Sequence, residues 1–230
     1  MNSRLLPSAL NELDQDELLV NEFFHSIQGE AKDAGRPCFF IRLAGCHLRC
    51  HWCDTEYAFY DGKKCSVEEC IKRAQASRCN LVEVTGGEPL LQSAVYTLLE
   101  RLCDAGHEVL LETSGARPID RVDRRVRRIV DWKTPGSGME SHNHKAIVGD
   151  LRQGDELKLV IRDRPDYEWA RNWVETQRDR LSTEIPIWFA PVHGELQPVE
   201  LAGWILEDRL SVRLGLQIHK YVWSPDARGV

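Results

Sequence analysis

The sequence predicts an α/β fold built on a parallel sheet. Two observations carry this: strand-like and helix-like stretches alternate about six times, and the segments able to do chemistry follow the strand-like runs. Residues 18–24 and 38–43 are short apolar runs of strand type. Ser66 followed by Glu69 has the capping-box pattern, which opens a helix reaching about Ser77. Residues 81–85 alternate and enter Gly86-Gly87, a strand and its turn. Residues 90–103 have helical spacing and stop before Gly106. Residues 109–112, 129–132, 157–161 and 185–192 read as further strands, with helices near 167–175 and 198–207 and a final strand over 212–218. About six units are too few for a closed eight-fold barrel, so periodicity leaves an open doubly wound sheet and a partial barrel both standing. Either fold binds ligands at the C-terminal ends of its strands.

The 230 residues are 42% hydrophobic and 29% charged, which gives a core to one domain and argues against disorder. Residues 1–17, with Asp14, Asp16 and Glu17 among leucines, read as a flexible leader, and 18–230 as a single domain. A net charge of -6 speaks against a general nucleic-acid binder. The run containing Arg121, Arg124, Arg125, Arg127 and Arg128 reads as a solvated helix or turn face. No apolar run reaches the roughly 18–20 residues of a membrane span. The N-terminus lacks the apolar core of a signal peptide, so the expected location is the cytoplasm, where thiols stay reduced. Eight cysteines in such a chain are thiols, metal ligands or catalytic groups rather than disulfides.

Three of them, Cys46, Cys50 and Cys53, have the spacing C-x3-C-x2-C just after a strand-like run. Three thiolates on one loop suit two chemistries. Zinc in a structural site wants four ligands, and His47, His51 or Cys38 could supply the fourth. An iron–sulfur cube normally takes four cysteines, so three leave one iron open to a small molecule. A loop of plain buried thiols is the third reading. Cys38, Cys65, Cys70, Cys79 and Cys103 show no such spacing and read as small core residues.

This triad, with aromatic Trp52 before its third cysteine, resembles the signature of the radical S-adenosylmethionine (radical SAM) superfamily. Thr85-Gly86-Gly87-Glu88-Pro89 resembles the same superfamily's GGEP segment, where backbone groups and the acid hold the SAM amino group. The resemblance implies a [4Fe–4S] cluster on Cys46, Cys50 and Cys53, with SAM on its open iron. It also implies a partial (β/α)6-type barrel with N-terminal and C-terminal additions.

Further segments, spread from about Asn21 to Pro225, resemble the 7-carboxy-7-deazaguanine synthase family. They are Ser26-Ile27-Gln28-Gly29-Glu30, the strand from Phe40 to Cys46, Cys53-Asp54-Thr55, Glu112-Thr113-Ser114-Gly115 and Gln217-Ile218-His219-Lys220. That resemblance implies ring contraction of 6-carboxy-5,6,7,8-tetrahydropterin with loss of ammonia, within queuosine biosynthesis. It assigns Ile27, Gln28, Gly29, Arg42, Thr85 and Pro225 to the pterin, and Gly87, Glu88, Thr113, Ser114 and Lys133 to SAM. Thr55 is assigned to Mg2+, a hard cation that accepts a hydroxyl oxygen when substrate and water supply the rest. Arg42 suits a carboxylate, and Gln28 the paired donors and acceptors of a pterin edge. An electron donor such as flavodoxin and a homodimer are implied as partners, with no nucleic acid and no membrane. Asp131-Trp132-Lys133 departs from the Ser-Pro-Lys common in that family, and the chain runs on past Pro225. Two other readings remain at this point: a radical SAM activase acting on a glycyl-radical partner, and a zinc-stabilised binding module without catalysis.

Overall fold

The computed structural model describes residues 7–177, 179–182, 184–225 and 227–230. One nine-stranded sheet organises them, in the order β3-β1-β2-β4-β5-β6-β7-β8-β9. β1 (Glu17–Ile27) runs antiparallel to both β2 (Pro37–Leu43) and β3 (Lys63–Ser66). From β2 onward every neighbour is parallel: β4 (Leu81–Gly86), β5 (Glu108–Thr113), β6 (Arg127–Asp131), β7 (Glu156–Ile161), β8 (Ile187–Pro191) and β9 (Arg213–Leu214). The sheet is open, because β3 and β9 are its two edges.

The helices decide between the two architectures. They are α1 (Val67–Ala76), α2 (Val95–Asp104), α3 (Ile147–Asp150), α4 (Arg164–Gln177), α5 (Pro198–Glu207) and α6 (His219–Val222). Buried residues of α1 to α5 all join one core with Ile41, Val82, Val84, Leu111, Val130, Leu159 and Phe189 from the strands. Side chains of a strand alternate between faces. The intervening residues Cys38, Phe40, Leu81, Leu110 and Ile129 form a second, smaller cluster on the opposite face. Helices α1 to α5 therefore cover one face, and the short α6 lies on the other. The other face curls into a half-barrel whose floor is this small cluster. A doubly wound sheet would carry connecting helices on both.

Local sequence explains most of the elements. Ser66 accepts a hydrogen bond from the Glu69 amide (3.2 Å) and starts α1. Gln197 and Glu200 close a reciprocal capping box on α5, which Pro198 opens. The helix expected over 90–103 is split: Pro89–Leu91 form a 3-10 turn, Gln92 is extended, and α2 starts at Val95. The cause is tertiary. Buried Gln92 accepts from the Leu19 amide (2.7 Å) and donates to the Leu19 and Ala44 carbonyls (3.0 and 2.9 Å), tying β1 to the loop after β2. The strand expected over 212–218 shrinks to two residues, since the Ile218 amide is diverted to the Gly29 carbonyl (2.9 Å).

The arginine run is a second correction. Arg128 is 1% exposed on β6 and paired with equally buried Asp155, so it is no solvated face. Arg127 pairs with Asp33, and Arg125 with Asp104 (2.7 Å) and Asp123 (2.8 Å). Part of the leader expectation, residues 1–6, lies outside the described residues; Ser8–Glu12 form a short 3-10 helix. No helix among the described residues is long and apolar enough to cross a membrane.

Candidate active site

A cavity of about 750 Å3 opens at the C-terminal ends of the parallel strands, on the face away from α1 to α5. Parallel strands leave their functional loops at that end, so cysteines after β2 and glycines after β4 meet there.

The thiol loop follows Leu43. The Gly45 amide donates to the Ala58 carbonyl (2.8 Å), and the Gly45 carbonyl accepts from the Glu88 amide (2.9 Å). Gly87 sits so close beneath that a Cβ there would overlap the Gly45 carbonyl and Cys46. This close approach is why a glycine is needed at that turn. Arg49 braces the loop from inside. Its guanidinium donates to the carbonyls of Cys46 (2.8 Å) and Leu48 (2.6 Å) and lies 4.1 Å from the Phe59 ring centre. Cys46, Cys50 and Cys53 all line the cavity and pack with Leu48, Phe59, Ala116 and Met139.

The donor set fits an iron–sulfur cluster. Burial pushes the Cys46 thiol up to about 12 and the Cys53 thiol to about 11, so a free thiolate is disfavoured until a metal charge compensates it. Among the described residues, no three His, Cys, Asp or Glu side chains crowd closely enough to hold one bare metal ion. Thiols spread round a loop suit a cluster, in which each cysteine binds its own iron, better than a single zinc.

Most residues expected at the site meet in this cavity. Ile27, Gln28, Gly29, Arg42, Thr55, Thr85, Gly87, Thr113, Ser114, Lys133 and Pro225 line it together with the three cysteines. Glu88 differs. It is fully buried below the cavity wall, and its carboxylate accepts from the Thr113 hydroxyl (2.9 Å) and from the Ser114 amide (2.8 Å) and hydroxyl. Its side chain holds the loop after β5 against the glycine turn.

Elsewhere on the wall, Glu22 accepts from Arg42 Nε (2.7 Å) and from the Tyr57 hydroxyl (2.8 Å). No described residue bonds the Arg42 Nη groups, which leaves them for a ligand. The Thr55 hydroxyl donates to Asp54 (2.9 Å). Burial would raise the Asp54 carboxyl, but Lys220 at 2.7 Å holds it well below the usual range. His219 seals Gly29: a Cβ on that glycine would overlap the imidazole. Burial keeps the imidazole of His219 below its ordinary value.

The sequence reading missed the centre of the cavity. Lys158 on β7 bridges Glu30 (2.7 Å), Glu112 (2.6 Å) and Asp131 (3.6 Å). Glu30 also accepts from Gln217 (2.8 Å), which ties the loop after β1 to the C-terminal segment. Glu30, Glu112 and Gln217 lie in the family-like segments but carry no role assigned by the resemblance; Lys158 and Glu83 lie outside those segments. Their signal was a charge interrupting an otherwise apolar strand, in Leu-Val-Glu-Val and Glu-Leu-Lys-Leu-Val-Ile. Burial opposes the charge on Lys158, yet Glu112 and Glu30 hold its ammonium protonated well above the ordinary range. Lys133 reaches Asp131 (3.1 Å) and stands beside Cys50.

Comparisons with known proteins show the family of the chain. The family model described as the Radical SAM superfamily matches residues 40–183. The 7-carboxy-7-deazaguanine synthase of Chlorobaculum tepidum is 47% identical over 216 residues, covering 93% of this chain and 97% of that protein. The synthase of Koribacter versatilis is 42% identical over 226 residues, covering 92% and 99%. Among solved structures, QueE from Escherichia coli matches with a TM-score of 0.72 at 22% identity, over 87% of this chain and 94% of that one; at that identity it speaks for the fold alone. A superfamily match over more than half the chain, and relatives this similar along nearly their whole length, make the chain a member of the 7-carboxy-7-deazaguanine synthase family of radical SAM enzymes.

Proposed function

We propose that the chain converts 6-carboxy-5,6,7,8-tetrahydropterin to 7-carboxy-7-deazaguanine with loss of ammonia. One observation carries the reading: a single cavity is lined by the thiol triad and by Arg42, Gln28 and Thr85. When bound, the cluster and SAM supply one-electron reduction and hydrogen-atom abstraction. The protein's own groups place the two molecules. Arg42, steadied by Glu22, offers its Nη groups to the substrate carboxylate. Gln28 and the rim from Ile27 to Gly29 face the pterin edge, and Thr85 stands above Glu112. Glu88 fixes Thr113 and Ser114 where SAM is to lie, while Lys133 adds positive charge beside Cys50. The apolar floor of Phe40, Leu81, Leu110 and Ile129 closes the base of the half-barrel against water.

Thr55 and Asp54 give the cavity hard oxygen donors suited to Mg2+. Thr55→Ala raises the Mg2+ concentration for half-maximal turnover by roughly tenfold, read from a magnesium titration of the rate. Unchanged magnesium dependence removes Thr55 from the metal. A flavodoxin-type electron donor and a homodimer, which rest on the family resemblance, and a cytoplasmic location, which rests on the sequence of the N-terminus, complete the proposal.

The decisive assay is anaerobic. The protein is reconstituted with iron and sulfide and given dithionite, SAM, Mg2+ and the carboxytetrahydropterin. A product lighter by one ammonia supports the synthase. Cleavage of SAM with the pterin untouched refutes the substrate and keeps the superfamily. A glycyl-radical activase would need a protein partner, and the polar wall of this cavity suits a small heterocycle instead.

A further inference from the structure

Four carboxylates, Glu30, Glu83, Glu112 and Asp131, are gathered in the cavity around Lys158. Three of them have a cation. Glu30 and Glu112 lie within 2.7 Å of Lys158, and Asp131 has both Lys158 (3.6 Å) and Lys133 (3.1 Å). Glu83 is 2% exposed and has no ion-pair partner among the described residues. Its neighbours on every packed element are accounted for. Arg42 on β2 gives its Nε to Glu22 and its Nη groups bond no described residue, Glu83 included; Cys38 on β2 is a thiol that burial keeps protonated; Glu30, and Glu112 on β5, both touch Lys158, whose charge opposes the rise that burial gives the Glu112 carboxyl; and Lys158 on β7 is already shared. The direct partner of Glu83 is the Gln28 amide, a neutral donor to one carboxyl oxygen. No described residue donates to the other oxygen, and Glu83 lines the cavity.

We infer that Glu83 is a neutral carboxylic acid whose hydroxyl donates a hydrogen bond to an acceptor on the pterin ring, making it a specificity-determining residue. This rests on the pterin reading above. A second charge beside Glu112 and Glu30, buried and without a cation, would cost more than keeping the proton. Burial, reinforced by Glu112 and Glu30, correspondingly holds the Glu83 carboxyl well above the usual carboxylate range. Gln28 fixes the rotamer, so the hydroxyl is aimed before substrate arrives. An acid of this kind recognises a ring carbonyl or unprotonated ring nitrogen and discriminates against an analogue bearing a donor there.

Two variants test it. Glu83→Gln keeps a donor and cannot ionise; Glu83→Leu keeps the size and loses the donor. Pterin affinity is measured by equilibrium titration of the cluster-loaded, SAM-bound protein. Carboxyl protonation is read by infrared difference spectroscopy at neutral pH. Expected are a protonated-carboxyl band in the native protein that Glu83→Gln removes, affinity within about threefold for Glu83→Gln, and a loss of roughly thirtyfold for Glu83→Leu. The folded carboxyl binds its proton more tightly than the unfolded one, so the native protein loses stability as pH rises above the unfolded value near 4.5. The melting temperature of Glu83→Gln should therefore pull ahead of the native protein's as pH rises. Absence of the band, or equal losses in both variants, overturns the neutral donor. Equal affinity in all three proteins shows that Glu83 only packs. A native protein that shows the band and cleaves SAM but binds no pterin overturns the substrate reading, and the donor role with it.

Discussion

Cys50→Ala protein is expected to fold, bind less iron and show no turnover above background, a loss of roughly a thousandfold or more. Cys50 is half-buried on a loop whose geometry does not depend on its thiol. The loop is held by Gly45 to Ala58, by Arg49 to two carbonyls and by the His51 amide to the Ser137 carbonyl (3.1 Å). Removing the sulfur takes away one of three cluster ligands and little else. Iron content, the visible absorption of the cluster and the pterin assay together check this. Native melting behaviour with absent turnover is the expected result. Full iron loading with normal turnover would remove Cys50 from the cluster.

The largest expected effect on stability lies on the other face of the sheet. Arg128 and Asp155 are each 1% exposed, and neither lines the cavity. Arg128 Nε donates to both Asp155 oxygens (3.0 and 3.1 Å), and its Nη groups donate to the Ile119 (2.9 Å) and Asp150 (2.7 Å) carbonyls. Arg128→Leu strands a buried anion and costs about 3–5 kcal/mol. For a chain of this size the melting temperature should fall by roughly 10 °C, measured by circular dichroism. Adding Asp155→Leu removes the stranded charge and should recover part of the loss. Recovery is incomplete, because Asp155 also accepts from the Arg128 (3.0 Å) and Arg152 (2.8 Å) amides. A single variant as stable as the native protein would show that the pair contributes nothing net. The folded fraction of either variant should keep its iron and its turnover.

Legibility in the sequence followed the range of the interactions. The parallel strands and their helices were readable because apolar periodicity and caps are local: Ser66 with Glu69, and Leu81 to Thr85 running into the glycine pair. The thiol loop was readable because its ligands lie within eight residues of one another, Cys46 to Cys53. The antiparallel start was not. β3 holds only four residues, two of them lysines, and it exists because β1 pairs with it. The split before α2 depends on Leu19, 73 positions from Gln92. The charged centre depends on still longer reach, 128 positions from Glu30 to Lys158. Its trace in the sequence was charge within largely apolar strands, and such a charge does not say which partner it meets. The arginine run misled for the same reason: Asp155 decides the fate of Arg128 from 27 positions away.

The link between Glu30 and Gln217 has a consequence for the order of events during synthesis. The metal-binding loop and its supports, from the glycine turn to Ser137, are complete once about three-fifths of the chain has left the ribosome. The pocket wall is not: Glu30 waits for Lys158 and then for Gln217, 187 positions later. The iron-binding loop thus takes shape from earlier neighbours, whereas the substrate wall is finished among the last contacts the nascent chain can make. An immature chain can therefore present its cysteines to iron-delivery machinery before it has any means of selecting a pterin.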